Sequence, residues 1–166
     1  GVAARTYAAL DKWLSWLPGG LIHANVATAT MFSATSGSSV ATAATVATVA
    51  MPQADKLGYD PKLFSGAIAA GGTLGILIPP SINLIVYGFL TETSIPKLFM
   101  AGLVPGLGLA ALFMLASLLL CVWKPSLGGP RQSASWSTRI KSLSFLLPLL
   151  VLPGVWLWCR PLMDLL

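Results

Sequence analysis

The chain has 166 residues, 55% of them hydrophobic and 9% charged, with ten Lys and Arg against five Asp and Glu. A soluble domain carries about 25% charged residues, so there is too little polar surface here to wrap a core in water. An ordinary soluble enzyme is excluded, no nucleic-acid partner is expected, and the surroundings implied are a lipid bilayer.

The charges cluster and leave long uncharged intervals, from Trp13 to Ala54, Leu63 to Thr91, Leu98 to Trp123 and Ser142 to Cys159. Each meets or exceeds the roughly 18 to 20 residues that a helix rising about 1.5 Å per residue needs to cross about 30 Å of hydrocarbon. The chain is therefore expected to be an all-α integral membrane protein. Cys121 and Cys159 lie inside apolar runs and are expected to be small buried hydrophobes. Gly1 opens straight into a basic stretch with no signal-peptide pattern, as expected of a piece of a longer protein.

Residues 1–18 place Tyr7, Leu10, Leu14 and Leu17 at three- and four-residue spacings, which predicts an amphipathic helix at the membrane surface with Trp13 and Trp16 at headgroup depth. Residues 19–54 predict a re-entrant helical hairpin. Ser36-Gly37-Ser38-Ser39 splits the run into one arm from Leu21 to about Thr35 and a second that runs to Met51 and Pro52; about fifteen residues per arm give roughly 22 Å, short of the bilayer, which favours the hairpin over the alternative of two full spans. Its Ala, Thr and Ser content favours packing against protein.

After a polar loop, residues 63–91 predict a broken transmembrane helix. Gly71-Gly72, Gly75 and Pro79-Pro80 crowd its middle; each proline removes an amide donor, and Ile78 is pushed from helical geometry by the proline after it. Residues 98–123 predict a transmembrane helix, 124–141 a basic cytoplasmic loop and 142–160 a last transmembrane helix interrupted by Pro148 and Pro153. Counting the hairpin as an even crossing, Arg5, Lys12, Lys56, Lys62, Lys124, Arg131, Arg139 and Lys141 share one side and only Lys97 and Arg160 the other, which makes the crowded side cytoplasmic.

Non-helical backbone at membrane depth is tolerated only where it lines a cavity or is buried in protein. A hairpin tip at Ser36 to Ser39 facing a break at Gly75 to Ser81 is the arrangement by which secondary transporters build midplane sites. The intervals holding both breaks contain no carboxylate, and His23 is the only histidine, which disfavours proton coupling. Sodium needs only oxygen ligands. The hydroxyls of Ser36, Ser38, Ser39 and Thr73, with carbonyls freed around Gly75, Ile78 and Pro80, are candidates to hold it. No other cofactor is expected. The helix starts after the tip and after Pro80 would offer unpaired N–H groups to an anionic substrate, making Ser36, Gly37, Ser81 and Asn83 candidate contacts. Capping and interhelical hydrogen bonding are the structural alternative for each of these residues.

His23 with Ser36 does not make a hydrolase, because no Gly-x-Ser-x-Gly element, second histidine or nearby acid is present. The chain is not expected to be an enzyme. His23 and Asn25 are expected to find partners on a neighbouring helix, and Gly102-x-x-x-Gly106 followed by Gly108 reads as close helix packing. No phosphate loop or metal-ligand spacing occurs.

SGSSVA at Ser36 to Ala41, GYDP at Gly58 to Pro61, GILIPPS at Gly75 to Ser81, Tyr87-Gly88 and SIPKLFMAGLVPG at Ser94 to Gly106 stand in this order. The ordered set resembles the large membrane subunit of TRAP (tripartite ATP-independent periplasmic) transporters, over roughly residues 5 to 125. The resemblance implies a sodium-driven importer of organic acid anions, dicarboxylate or sialic-acid-like, in a bacterial inner membrane. It implies a periplasmic substrate-binding protein and a small membrane subunit as partners, and an elevator-like motion of the transport domain. By motif, its hairpin-side sodium site would fall on Ser36, Ser38 and Ser39 with Gly75, Ile78 and Pro80. The family often has an acidic residue where this chain has Thr42, and its large subunit carries a second hairpin and broken helix. This chain would then be one of two inverted repeats. The alternatives are another ion-coupled anion transporter without a binding protein, or a truncated, non-transporting membrane subunit.

Overall fold

The computed structural model describes residues 2–130 and 137–142. They form α1 (Val2–Leu14), α2 (Gly20–Ser36), α3 (Ser39–Leu57), α4 (Pro61–Leu77), α5 (Ile82–Leu90) and α6 (Ile95–Trp123). A 3-10 turn at Pro125–Leu127 and helical residues 137–142 lie within the expected basic loop. No strand occurs among the described residues. The expected last helix, 142–160, lies outside them apart from Ser142, and so does Cys159.

Local chemistry sets most boundaries. Gly37 takes the left-handed conformation (φ 60°) and its N–H donates to the Ser33 carbonyl, which ends α2. Ser38 then turns extended and caps α3, its hydroxyl accepting from the Ala41 amide at 3.4 Å. Asp60 caps α4 by accepting from the Leu63 amide at 2.8 Å, with Pro61 as the first helical residue. Ile78 is extended (ψ 123°) before Pro79 and ends α4 as expected. The Pro79–Pro80 peptide is cis.

Both expected arms are helical, α2 and α3 packing against each other, but they are longer than the sequence suggests: 17 residues in α2 and 19 in α3, roughly 26 and 28 Å. α3 continues through Pro52 because Val46, Ala50 and Ala54, four residues apart on one face, are all buried in the core on both sides of the proline. One missing hydrogen bond does not outweigh that burial. Arm length thus gives no support to a tip that stops inside the bilayer.

α2 is central, packing against α1, α3, α4 and α6. One apolar cluster joins Tyr7 of α1, Leu21 and Ile22 of α2, Val46 and Ala50 of α3 and Phe64 of α4. A second joins Val26, Leu74, Ile78 and Ala110. At the start of α2, Leu21 is held from both sides: its N–H donates to the Tyr59 hydroxyl (3.3 Å) and its carbonyl accepts from the Tyr7 hydroxyl (3.4 Å). Trp13 is half-buried, its indole N–H donating to the Arg139 carbonyl at 3.2 Å, while Trp16 is exposed. Cys121 is free and buried.

Among the described residues, two stretches are long and apolar enough to cross a membrane, Pro61–Leu90, which includes the break, and Ile95–Trp123. Val104, Leu112, Leu119 and Trp123 of α6 all project outward, as a lipid- or protein-facing helix requires. Gly102 and Gly106 let α6 approach the Leu77 carbonyl and Ile78 side chain as expected of close packing, whereas Gly108 faces open space.

Asp11 on α1 is partly buried, and that desolvation, only partly offset by Lys12, raises its carboxyl above the usual range. Ionised Asp11 therefore costs stability at pH 7, a cost that disappears as the pH falls through the raised value. Asp11→Asn is expected to melt at or above the wild-type temperature at pH 7, with the gap closing in acid; a lower melting temperature at pH 7 would contradict this.

Candidate functional site

The hairpin tip and the helix break are packed against each other through main-chain atoms. A Cβ added to Gly75 would lie 2.8 Å from both the carbonyl carbon and oxygen of Ser38 and 2.9 Å from the Ser39 nitrogen. One added to Gly37 would lie 2.6 Å from the Pro80 carbonyl oxygen. The Ile82 N–H donates to the Gly37 carbonyl at 3.4 Å, joining the two segments directly. One turn back, Gly72 admits the Ala43 side chain and Gly71 the Ala29 side chain. Contrary to the expected break at Gly75 to Ser81, the glycines of α4 do not interrupt the helix; they seat the hairpin on it, and the break is confined to Ile78 through Ser81.

Four helix ends meet here: the C-termini of α2 and α4 and the N-termini of α3 and α5. The first pair brings carbonyls and partial negative charge, the second amides and partial positive charge. The double proline adds a specific vacancy in the hydrogen-bond ladder. The helical donors for the Gly75 and Ile76 carbonyls would be the nitrogens of Pro79 and Pro80, which carry no hydrogen. The buried Ser81 hydroxyl fills one place, donating to the Ile76 carbonyl at 2.6 Å. The Gly75 carbonyl, whose helical donor Pro79 removes, keeps its capacity for another partner.

Of the residues singled out from the sequence, Ser36, Gly37, Ser38, Ser39, Gly75, Pro80 and Ser81 are gathered at this junction. Ser36 is half-buried, its hydroxyl 2.6 Å from that of Thr42. Ile78 contributes its backbone to the break while its side chain packs on Gly106. Thr73 is exposed on α4 and its hydroxyl donates to the Ala70 carbonyl at 2.7 Å. Asn83 is exposed in the first turn of α5, whose N-cap Ser81 makes no side-chain capping bond.

Two participants were missed. Ile76 could have been found by counting four residues back from Pro80. Thr42 carried no such signal, because its burial and its contact with Ser36 come from the tertiary path of the tip. The expectation for His23 and Asn25 is corrected: His23 Nε2 pairs with the Pro18 carbonyl at 3.1 Å, in the turn before its own helix. The Asn25 amide is fully buried and has no partner among the described residues. No group of three His, Cys, Asp or Glu stands together among the described residues, and the polar side chains at the junction are serine and threonine hydroxyls.

A profile of the family described as Tripartite ATP-independent periplasmic transporter, DctM component, matches residues 1–159. The chain is 39% identical over 159 residues to the C4-dicarboxylate TRAP transporter large permease protein DctM of Pseudomonas aeruginosa, covering 94% of this chain and 37% of that protein. It is 32% identical over 159 residues to the ectoine/5-hydroxyectoine TRAP transporter large permease protein UehC of Ruegeria pomeroyi, with 93% and 37% covered. To the sialic acid TRAP transporter large permease protein SiaM of Vibrio cholerae it is 30% identical over 160 residues, again with 93% and 37% covered. The chain thus spans little more than a third of the length of these curated relatives.

Proposed function

The chain belongs to the DctM component family of tripartite ATP-independent periplasmic transporters, and on that premise we propose that it supplies one cation-binding repeat of a sodium-coupled permease for organic acid anions. The observation that carries this is the main-chain junction of tip and break: Gly75 packs its Cα side against Ser38 and Ser39, and the proline four residues on leaves its carbonyl without a helical donor.

Sodium is held by Ser36, Ser38 and Ser39 together with Gly75, Ile78 and Pro80; Thr73 keeps its oxygen lone pairs while donating to the Ala70 carbonyl, but it lies exposed on α4 and joins only if the site extends to that face. Coupling to sodium rather than to protons follows from the junction's chemistry, since no residue in it titrates near neutral pH. The substrate's carboxylate lies toward the N-termini of α3 and α5, near Ser36, Gly37, Ser81 and Asn83. The hairpin is re-entrant, its tip at the depth of the break. A second repeat completes the site in an inner-membrane, multi-pass permease that moves by an elevator-like step. A small membrane subunit and a periplasmic binding protein assemble with it, and the binding protein selects the solute. Dicarboxylate- and sialic-acid-like anions are the substrate class, as the names of two of the relatives suggest, the third being named for ectoine.

The test is uptake into proteoliposomes that hold the complete permease containing this chain, with its small subunit and binding protein. An inward sodium gradient is expected to drive accumulation and an equal potassium gradient to give none. Accumulation indifferent to sodium would overturn the assignment.

A further inference from the structure

We propose that Thr42 is a positioning residue for the coupling cation, acting by offering the Ser36 hydroxyl an acceptor that turns its proton away from the ion. This rests on the sodium reading above. Thr42 lies in the first turn of α3, is completely buried, and holds its hydroxyl 2.6 Å from that of Ser36. Its N–H donates to the Ser38 carbonyl at 3.0 Å, so its own backbone is fixed to the tip.

The Ser36 hydroxyl has one proton and three neighbours. The Ser38 amide donates to it at 3.4 Å, the Ser38 carbonyl can accept from it at 3.3 Å, and Thr42 Oγ1 stands at 2.6 Å as either donor or acceptor. A hydroxyl oxygen ligates a cation only with its hydrogen pointing elsewhere. If that hydrogen goes to the Ser38 carbonyl, a second oxygen at the tip is engaged and less able to face the ion. If it goes to Thr42, Ser36 Oγ and the Ser38 carbonyl, which already accept from the Ser38 and Thr42 amides, each keep one lone pair for the cation. Thr42 therefore provides the protonic arrangement that the occupied site needs, without itself touching the ion. Burial strengthens the effect, because no water stands in when Thr42 is removed.

Sodium titration of uptake by the complete transporter tests this, with Thr42→Val as the near-isosteric loss of the hydroxyl and Thr42→Ser as the conservative variant. Losing one hydroxyl–hydroxyl bond is expected to raise half-saturating sodium roughly five- to tenfold in Thr42→Val. Thr42→Ser should stay within about twofold of wild type, since serine keeps the acceptor. Substrate KM and maximal rate at saturating sodium should hardly move, which a merely structural role would not predict. In a Ser36→Ala background, Thr42→Val should cause no further change in half-saturating sodium. Should Thr42→Val fail to reach the membrane, Thr42→Cys, with its weak thiol acceptor, replaces it and is expected to fall between Ser and Val. A sodium-dependent wild type with unchanged half-saturation in these variants overturns the role of Thr42 alone. A wild type that needs no sodium overturns the functional reading, and this inference with it.

Discussion

Gly75→Ala is expected to reduce sodium-driven uptake to background while leaving the protein folded in the membrane. The added methyl would meet the Ser38 carbonyl group and the Ser39 nitrogen at under 3 Å, and these are backbone atoms that no rotamer change can move aside. Forcing a methyl into packed surroundings costs about 1–3 kcal/mol, taken here by displacing the tip from the break. Separation removes the Ser38 and Ser39 ligands from the Gly75 carbonyl, so half-saturating sodium should rise by roughly ten- to a hundredfold. The matched control is Gly66→Ala in the same helix, where a Cβ meets nothing within 4 Å and alanine improves helix propensity by up to about 1 kcal/mol. Sodium titrations of the two variants side by side decide the matter. Equal, near-wild-type titrations would mean that the contact between tip and break does not form the ion site.

Pro79→Ala is expected to weaken sodium dependence by the opposite route, adding an atom the site needs to lack. Alanine at 79 restores an N–H that can donate to the Gly75 carbonyl and relieves Ile78 of the restriction that keeps it extended. α4 should then gain part of a turn and the Gly75 carbonyl should be engaged within its own helix. A net hydrogen bond adds about 1 kcal/mol, so the variant should melt higher in the absence of sodium and show a smaller sodium-induced rise. Pro52→Ala is the comparison: it too restores an N–H inside a helix, but in α3, away from the break. Its sodium-induced shift should equal that of wild type. A full sodium shift in Pro79→Ala would show that the Gly75 carbonyl is not a ligand.

The helices and their interruptions were legible because they follow from short-range rules. Pro79 dictated the extended Ile78 and Gly37 the left-handed stop of α2, each through its nearest neighbours, whereas the sequence reading places the Asp60 cap that starts α4 at Pro61 inside a polar loop. The function of Gly71, Gly72 and Gly75 was misjudged because one sequence feature, a missing side chain, serves either to loosen a helix or to let another chain segment approach. Only the position of Ala29, Ala43 and Ser38 shows the second use. The arms of the hairpin were judged too short for a related reason: a proline's local cost was visible, whereas the buried row on both sides of it was not. Thr42 was noticed for the charge it lacks, and its contact with Ser36 depends on how two helix ends fold back on each other.

The tip and the break touch through peptide groups at Gly37, Ser38, Gly75 and Pro80. Such atoms are common to every amino acid and cannot be mutated away. A lineage is therefore free to exchange the surrounding hydroxyls and aliphatic groups and to retune its affinity in small steps. The inherited geometry is lost abruptly when one of the two glycines acquires a side chain or the break loses its first proline.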